Sequence, residues 1–481
     1  MTCQRLLAAA LLAVASLAAQ GAGAPPAGGT AAAPKLPELG APAAPPDGAP
    51  PHLGRIDRDG LRAHAYWLAD DARAGRDTGS PEIVVAGEWI ADRFAKAGLV
   101  RAVADSWYHE FPLTGWTLDA SRIAVTLVSR EGETAREHVL APDVDVRQWT
   151  VAESVEGADE ACTVALLEDP VLQRLLTAGA ARRPIFCEID ESHPYWQRAK
   201  GSHQVLGARR QASRPLFLVR KGALPEAMRT AGAQWSATWK VAAPAKADVP
   251  QRNVVAVLPG AARKDEYVVV SAHYDHVGTG RAVDGDAIYN GADDDATGTT
   301  AVILLAEALA KAGPLPRSVA FVCFTGEERG LVGSKAFCEQ PPFPLAKVVA
   351  NVNIEMLGRP EAGREGKAWV TGPDLSDFAA MAAAAMGKAG VEIVGFPMAG
   401  QLFAASDNWS FAKAGVVAHS ISAGSLHPDY HQPSDEVEKL DIGHMTRVIE
   451  GLRAFVVDLA SREAGPQWNE AGRKRLERRG R

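Results

Sequence analysis

Five short motifs in the 481-residue chain bring together residue types that bind cations and move protons. Ala272-His273-Tyr274-Asp275-His276 follows an apolar run, and the period-two geometry of a strand puts His273 and Asp275 on one side. A histidine that binds metal through one ring nitrogen usually has the other held by an oxygen, which an H-x-D unit can supply. Asn290-Gly-Ala-Asp293-Asp294-Asp295-Ala-Thr-Gly298 opens an apolar stretch. Three adjacent carboxylates there could complement a helix dipole, or one could use its two oxygens to bridge two cations. Thr325-Gly326-Glu327-Glu328-Arg329-Gly330-Leu331 also follows an apolar run. Two glutamates at the end of a buried strand are costly to ionise unless a cation is near. One could ligate a metal while its neighbour stays free as a base. Glu355-Met-Leu-Gly358 offers another carboxylate, and His427-Pro-Asp-Tyr430-His431 offers two imidazoles and a phenol. Mixed nitrogen and oxygen ligands of this kind suit zinc, with cobalt or manganese as substitutes.

Each motif has to be held by an element. Apolar strands are expected at Val254 to Leu258, Tyr267 to Ser271, Ser318 to Phe324, Val348 to Ile354 and Val416 to Ile421, with an apolar helix from Ala296 to Ala312 ended by Gly313-Pro314. Strands alternating with helices imply an α/β fold, a mostly parallel sheet with helices on both faces. In such sheets ligands sit beyond the carboxyl ends of the strands, which is where the motifs fall. From Asp59 to Gly98 the pattern is helical, interrupted at Gly75-Arg76-Asp77-Thr78-Gly79-Ser80. Between 118 and 249, short β-like runs alternate with polar loops and a short helix is expected at Leu224 to Gly232, the text of an inserted β-rich module. The expected organisation is a leader at 1–22, a Pro/Ala/Gly-rich tether at 23–53, a catalytic domain at 54–117 and 250–463 split by the insertion at 118–249, and a basic, frayed tail at 464–481.

The leader reading rests on Arg5, the apolar stretch Leu6 to Ala19 and the small residues Ala22 and Ala24, a secretory pattern too short to span a bilayer. It implies an exported protein, periplasmic or extracellular, with no transmembrane segment in the mature chain. An exported chain can form disulfides, and Cys162 with Cys187 or Cys323 with Cys338 could pair, although a buried free thiol is the commoner state in a central strand such as that of Cys323. Hydrophobic residues make up 47% and charged residues 23%, enough for a sizeable core and against wholesale disorder. A net charge of −7 leaves no electrostatic footprint for nucleic acid. Nothing in the sequence speaks to oligomeric state.

Taken in order, these motifs resemble metallopeptidase family 28, the di-zinc aminopeptidases, with an inserted protease-associated-like domain. The matching text adds His64 to Ala69, Gly75 to Ser80, Asn353-Ile-Glu-Met356 and Ser406-Asp407 to the motifs above. The resemblance implies that His273 and Glu355 bind one zinc, that Glu328 and His431 bind the other, and that Asp294 bridges both. It implies further that Asp275 orients His273, that Glu327 is the general base, that Tyr430 stabilises the tetrahedral intermediate and that the Asp294–Asp295 peptide is cis. Glu355 stands where the family usually has Asp, one methylene longer, and Asn408 replaces a histidine common after Ser-Asp. His276 is expected as a supporting or packing residue and His427 as a solvated one. The implied function is an exported di-zinc exopeptidase acting on peptides, most simply an aminopeptidase. A carboxypeptidase or a glutaminyl cyclase of the same fold is the alternative, and a non-catalytic receptor or scaffold is disfavoured by retention of every ligand type and of Glu327.

Overall fold

A computed structural model of the chain describes residues 56–131, 134–152, 154–166, 183–206, 214–229 and 235–479. The leader and tether segments, 1–22 and 23–53, lie outside the described residues, as do residues 480 and 481 of the tail. Two compact units emerge, and they are described separately.

The larger unit holds residues 56–111, Gln251–Gly278 and the chain from Ile288 onward. Its sheet is built from β1 (Ala245–Leu258), β2 (Arg263–His273), β3 (Arg317–Phe324), β4 (Val348–Glu355), β5 (Lys367–Val370), β6 (Glu392–Ile393) and β7 (Ala418–Ser422). The spatial order is β6-β5-β7-β4-β2-β3-β1. The four central strands run parallel, with His273 opposite Phe324 and Glu355 opposite Ser422 at their carboxyl ends. At the flanks, β1 is antiparallel to β3 and β5 to β7.

The near-continuous apolar text of the central strands follows from burial on both faces. Side chains alternate between two cores. Val268, Val270, Val319, Phe321, Val352 and Ile354 point to one, and Val269, Ala320, Val322 and Phe324 to the other. The first core is covered by α1 (Arg58–Leu68), α2 (Pro81–Lys96), α3 (Thr297–Ala312) and α6 (Ile442–Ser461), with α5 (Phe378–Gly387) packed on α6. The second is closed by α4 (Val332–Glu339) and by Phe403, Trp409 and Phe411. Ser80 caps α2, its Oγ accepting from the Ile83 N–H at 3.2 Å, with Pro81 in the first turn. The end of the chain departs from expectation: residues Glu470–Arg479 form a helix, and Trp468 and Leu476 pack on the second core.

The smaller unit holds Pro112–Pro250 together with Thr279–Ala287, broader than the 118–249 expected. It is β-rich. One four-stranded sheet runs Val146–Gln148, Leu216–Arg220, Ile185–Ile189, Thr163–Leu166, and another Thr134–Leu140, Ala124–Glu131, Trp235–Lys240, Glu156–Ala161. A core of Val125, Leu127, Phe186, Phe217 and Trp239 joins them. Of the short helix expected at Leu224 to Gly232, the described residues show a 3₁₀ helix at Glu226–Arg229, starting after Pro225; residues 230–232 lie outside the described residues.

The cysteine pairings do not occur. Cys162, Cys187, Cys323 and Cys338 are all free thiols. Cys187 and Cys323 lie wholly buried within strands, where the thiol serves as a small apolar group. Burial pushes the Cys162 thiol up to about 11 and that of Cys338 to about 12, which keeps both protonated and unreactive.

Candidate metal centre

The carboxyl ends of the four parallel strands deliver the sequence motifs to one place. β2 ends in His273, β3 leads into Glu327 and Glu328, β4 ends in Glu355, and β7 leads to the loop carrying Tyr430 and His431. Asp294 enters from the loop that opens α3.

His273 is buried, and its Nδ1–H donates to the main-chain carbonyl of Asp275 at 3.0 Å. The Asp275 carboxylate lies further off, with Oδ1 at 3.6 Å. The orienting partner of this imidazole is therefore the Asp275 carbonyl. That contact leaves Nε2 as the free lone pair, and it faces Asp294 Oδ1 at 3.2 Å and Glu355 Oε2 at 3.5 Å. On the other side of Asp294, Oδ2 lies 3.0 Å from His431 Nε2, which is also 3.0 Å from Glu328 Oε1. One carboxylate thus shares its two oxygens between two ligand groups, and the Asp294–Asp295 peptide is cis.

Two sets of donor atoms can each surround an ion: His273, Asp294 and Glu355, and His276, Asp294, Glu328 and His431. The chemistry of the donors fits a divalent cation. Glu328 Oε1 and His276 Nδ1, 3.2 Å apart, are both buried without a hydrogen-bond partner, a costly state that a cation between them relieves. Burial works against a charged His431, but Glu328 and Asp294 outweigh it and raise the imidazole to about 10. Burial likewise pushes Glu327 well above the usual carboxylate range, aided by Glu328, Asp407 and Glu355.

A surrounding frame holds the ligands. The Arg76 guanidinium is wholly buried and donates to the carbonyls of Tyr274 (2.8 Å), Leu68 (2.6 Å), Asn290 (2.8 Å) and Gly291 (3.0 Å). It ties the end of β2 to the bridging loop. Thr78 Oγ1–H donates to Asp275 Oδ2 at 2.8 Å, and Arg329 donates to Asp77 Oδ1 at 2.5 Å. Asp435 accepts the N–H groups of Asp293 at 3.0 Å and Asp294 at 3.2 Å, fixing the bridging backbone.

The three consecutive aspartates divide the work. Asp293 Oδ1 accepts from Gly358 N–H at 2.6 Å, Asp294 faces the two imidazoles, and Asp295 Oδ1 accepts from Gly298 and Met356 N–H at 3.0 and 3.1 Å. Glu355 is steadied through Oε1, which accepts from Asn353 Nδ2 at 2.9 Å and from the Ser406 hydroxyl. Asn408 bonds to the Phe403 carbonyl and the Ser420 hydroxyl, each at 2.9 Å, and so serves the scaffold. The Tyr430 ring stacks on His431 with centroids 4.0 Å apart.

One histidine differs from expectation: His427 is buried rather than solvated, its Nε2 lying 3.2 Å from Asp293 Oδ2. His276 is wholly buried with Nδ1 among the carboxylates, in the supporting position expected of it. The burial of His427 is not legible from local spacing, because it depends on a loop brought in from elsewhere in the chain. The bonding of Arg76 also escaped residue-by-residue reasoning. The signal available was an arginine between glycines in a polar loop beside buried carbonyls.

Residues 253–456 match the family model described as peptidase family M28. The chain carries a peptidase family M28 domain. Among curated relatives, a probable leucine aminopeptidase of Arthroderma otae is 28% identical over 218 residues, 44% of this chain and 58% of that protein. One of Trichophyton verrucosum is 28% identical over 226 residues, 45% of this chain and 59% of that protein. The chain thus spans a little under three-fifths of the length of these relatives. Of solved structures, an aminopeptidase from Aneurinibacillus sp. strain AM-1 superposes with a TM-score of 0.51 at 20% identity, covering 85% of this chain and 95% of the other. A zinc aminopeptidase from Bacillus subtilis gives 0.54 at 17%, covering 85% and 96%. These two establish that the M28 domain has the zinc-aminopeptidase fold.

Proposed function

We propose that this M28 protein is an exported di-zinc aminopeptidase that removes N-terminal residues from peptides. The observation that carries the reading is the single carboxylate, Asp294, placed between the His273/Glu355 pair and the Glu328/His431 pair. It supports two ions over the single ion of a cyclase, and it disfavours a non-catalytic scaffold.

Beside these groups lies a cavity of about 90 Å³. Among the described residues its walls include the carboxylates of Asp294, Glu327 and Glu355 and the apolar side chains of Met356, Trp369, Leu402 and Leu426, with no lysine or arginine. A free α-ammonium group meets complementary charge there. The terminal carboxylate required by a carboxypeptidase meets none. The apolar walls favour an apolar first residue.

His273, Asp294 and Glu355 would hold one zinc, and Asp294, Glu328 and His431 the other. Bound zinc supplies Lewis-acid polarisation of the scissile carbonyl and makes water acidic enough to attack at neutral pH. Glu327 takes the water proton on its carboxylate and delivers it to the leaving amine. The Tyr430 phenol donates to the oxygen that gains charge. The Asp275 carbonyl and Asp435 carboxylate hold His273 and the bridging loop so that nothing reorganises during the reaction.

Export is supported by the leader-like text at 1–22. The protease-associated-like character of the β-rich unit is supported by Arg183-Pro-Ile-Phe-Cys187, which leads into a buried strand. The function is tested with a panel of aminoacyl-arylamides and of dipeptides blocked at either end, with and without chelator. Cleavage requiring a free amino terminus and abolished by chelator is expected. Turnover of amino-blocked, carboxyl-free dipeptides overturns the aminopeptidase reading. N-terminal sequencing should place the start of the native chain between about Ala19 and Pro26 on the signal-peptide pattern, and an intact Met1 overturns export.

A further inference from the structure

We infer that His276 is a direct ligand of the metal held by Glu328 and His431, making that site a two-imidazole, two-carboxylate pocket. The inference rests on the di-zinc reading above and extends it to a residue for which sequence spacing suggested only support or packing.

The ring is wholly buried. Its Nδ1 lies 3.2 Å from Glu328 Oε1 and 3.8 Å from Asp294 Oδ2, yet neither ring nitrogen has hydrogen-bonding geometry to any group. An imidazole that served packing alone would leave Nδ1 orphaned among carboxylates, at a cost of about 1–3 kcal/mol that a metal at this atom removes. The distances match a coordination polyhedron instead. Ligands roughly 2.0–2.1 Å from a tetrahedral zinc are separated from one another by about 3.3 Å. Four edges of this donor set are 3.0 Å from His431 to Asp294, 3.0 Å from His431 to Glu328, 3.2 Å from His276 to Glu328 and 3.8 Å from His276 to Asp294. The two imidazoles meet edge to face, centroids 5.3 Å apart at 81°, as two ligands on adjacent corners would.

The backbone holds the ring there. The His276 N–H donates to the Arg76 carbonyl at 3.2 Å. Gly291, with φ of 58°, backs the ring so closely that a Cβ at that position would lie 2.4 Å from His276 Cγ. A side chain at 291 would have to displace the imidazole, so the glycine is required by close approach as well as by its left-handed backbone.

The consequence is an asymmetric pair. The His276 site offers two imidazoles and two carboxylates, a closed set. The His273 site has one imidazole and two carboxylates and keeps an open position, the arrangement expected where substrate must enter. Imidazole favours zinc over harder cations, so the His276 site holds its zinc more tightly and discriminates better against manganese.

The test uses the full-length, zinc-loaded protein. Dialysis against a graded series of zinc buffers should remove one equivalent well before the second. X-ray absorption at the zinc edge of the half-loaded wild type should then count two imidazoles on the remaining ion. His276→Asn should weaken the retained equivalent at least tenfold and bring the two losses together. One imidazole on the retained ion, or unchanged retention of two equivalents in His276→Asn, overturns His276 as a ligand and leaves the di-zinc reading standing. Failure of the wild type to take up two zinc equivalents overturns both. The absorption measurement needs no variant, so it decides the matter even if His276→Asn does not fold.

Discussion

The main-chain N–H of Glu327 donates to Asp275 Oδ1 at 3.2 Å. The residue whose carbonyl aims His273 therefore also anchors the loop of the proposed base, while its other oxygen is held by Thr78. Asp275→Asn should preserve the carbonyl contact and hence both zinc equivalents. It should lower kcat by about 10–100-fold, the range found when a supporting partner is lost. Zinc content and kcat measured together check this. A lost zinc equivalent would mean that the carboxylate, and not the carbonyl, sets the imidazole.

Glu327 and Glu328 are adjacent but do different jobs in this mechanism. Glu328→Ala removes a ligand and should cost one zinc equivalent. Glu327→Gln is nearly isosteric and should keep both metals and the fold while lowering kcat by about 10²–10⁴-fold, with KM little changed. More than about a tenth of wild-type kcat in Glu327→Gln would exclude it as the base.

Glu355 has the longer side chain where the family usually has aspartate, and its surroundings are fitted to that length. Asn353 and Ser406 both hold Oε1, leaving Oε2 toward His273. Glu355→Asp should withdraw the carboxylate from these donors and weaken the zinc at His273, by about tenfold per 1.4 kcal/mol of lost support. Ser406→Ala should weaken the same site less. Site-resolved zinc titration checks both, and unchanged affinity in Glu355→Asp would show that the pocket does not depend on the extra methylene.

His419 on β7 makes the apo fold sensitive to acid. Burial lowers its pKa to about 4, against a smaller opposing effect of the Thr371 carbonyl, which accepts from Nδ1 at 2.6 Å. In the unfolded chain the value is about 6.5. Between these two values the unfolded state binds a proton that the folded state refuses, so stability falls as pH drops from about 6.5 to 4. The loss is on the order of 3 kcal/mol across that window. Urea unfolding of chelator-treated protein at pH 7, 6 and 5 should show it. His419→Asn, less stable at pH 7, should have a flatter profile; an equally steep one would assign the acid sensitivity elsewhere.

Much of this centre was legible because strand-end carboxylates and imidazoles announce themselves. An apolar run such as Ser318 to Phe324 has to be buried, so the charged residues directly after it have to sit at a sheet edge. Period-two text placed His273 and Asp275 together at the strand end, but which oxygen of Asp275 lies nearer the ring, the carbonyl at 3.0 Å or the carboxylate at 3.6 Å, is set by the turn beyond it. His427 differs from expectation for a related reason. Its burial is decided by Asp293, which arrives from a different part of the chain. The cysteine pairs failed on geometry: Cys187 and Cys323 occupy interior strand positions facing apolar neighbours, and spacing in sequence carries no information about that.

The Arg76 guanidinium, bonded to four carbonyls drawn from three separated stretches of chain, has a consequence for biogenesis. Its partners and the ligands they steady are synthesised in sequence from Leu68 to His431, and the last of them comes from a loop behind β7. A growing chain lacks a complete set of donors until the loop behind β7 has left the ribosome, and N-terminal segments emerge and begin to fold first. On the function proposed above, a centre assembled this way stays inert until that loop is made, because the residue that closes it follows every other ligand in the chain.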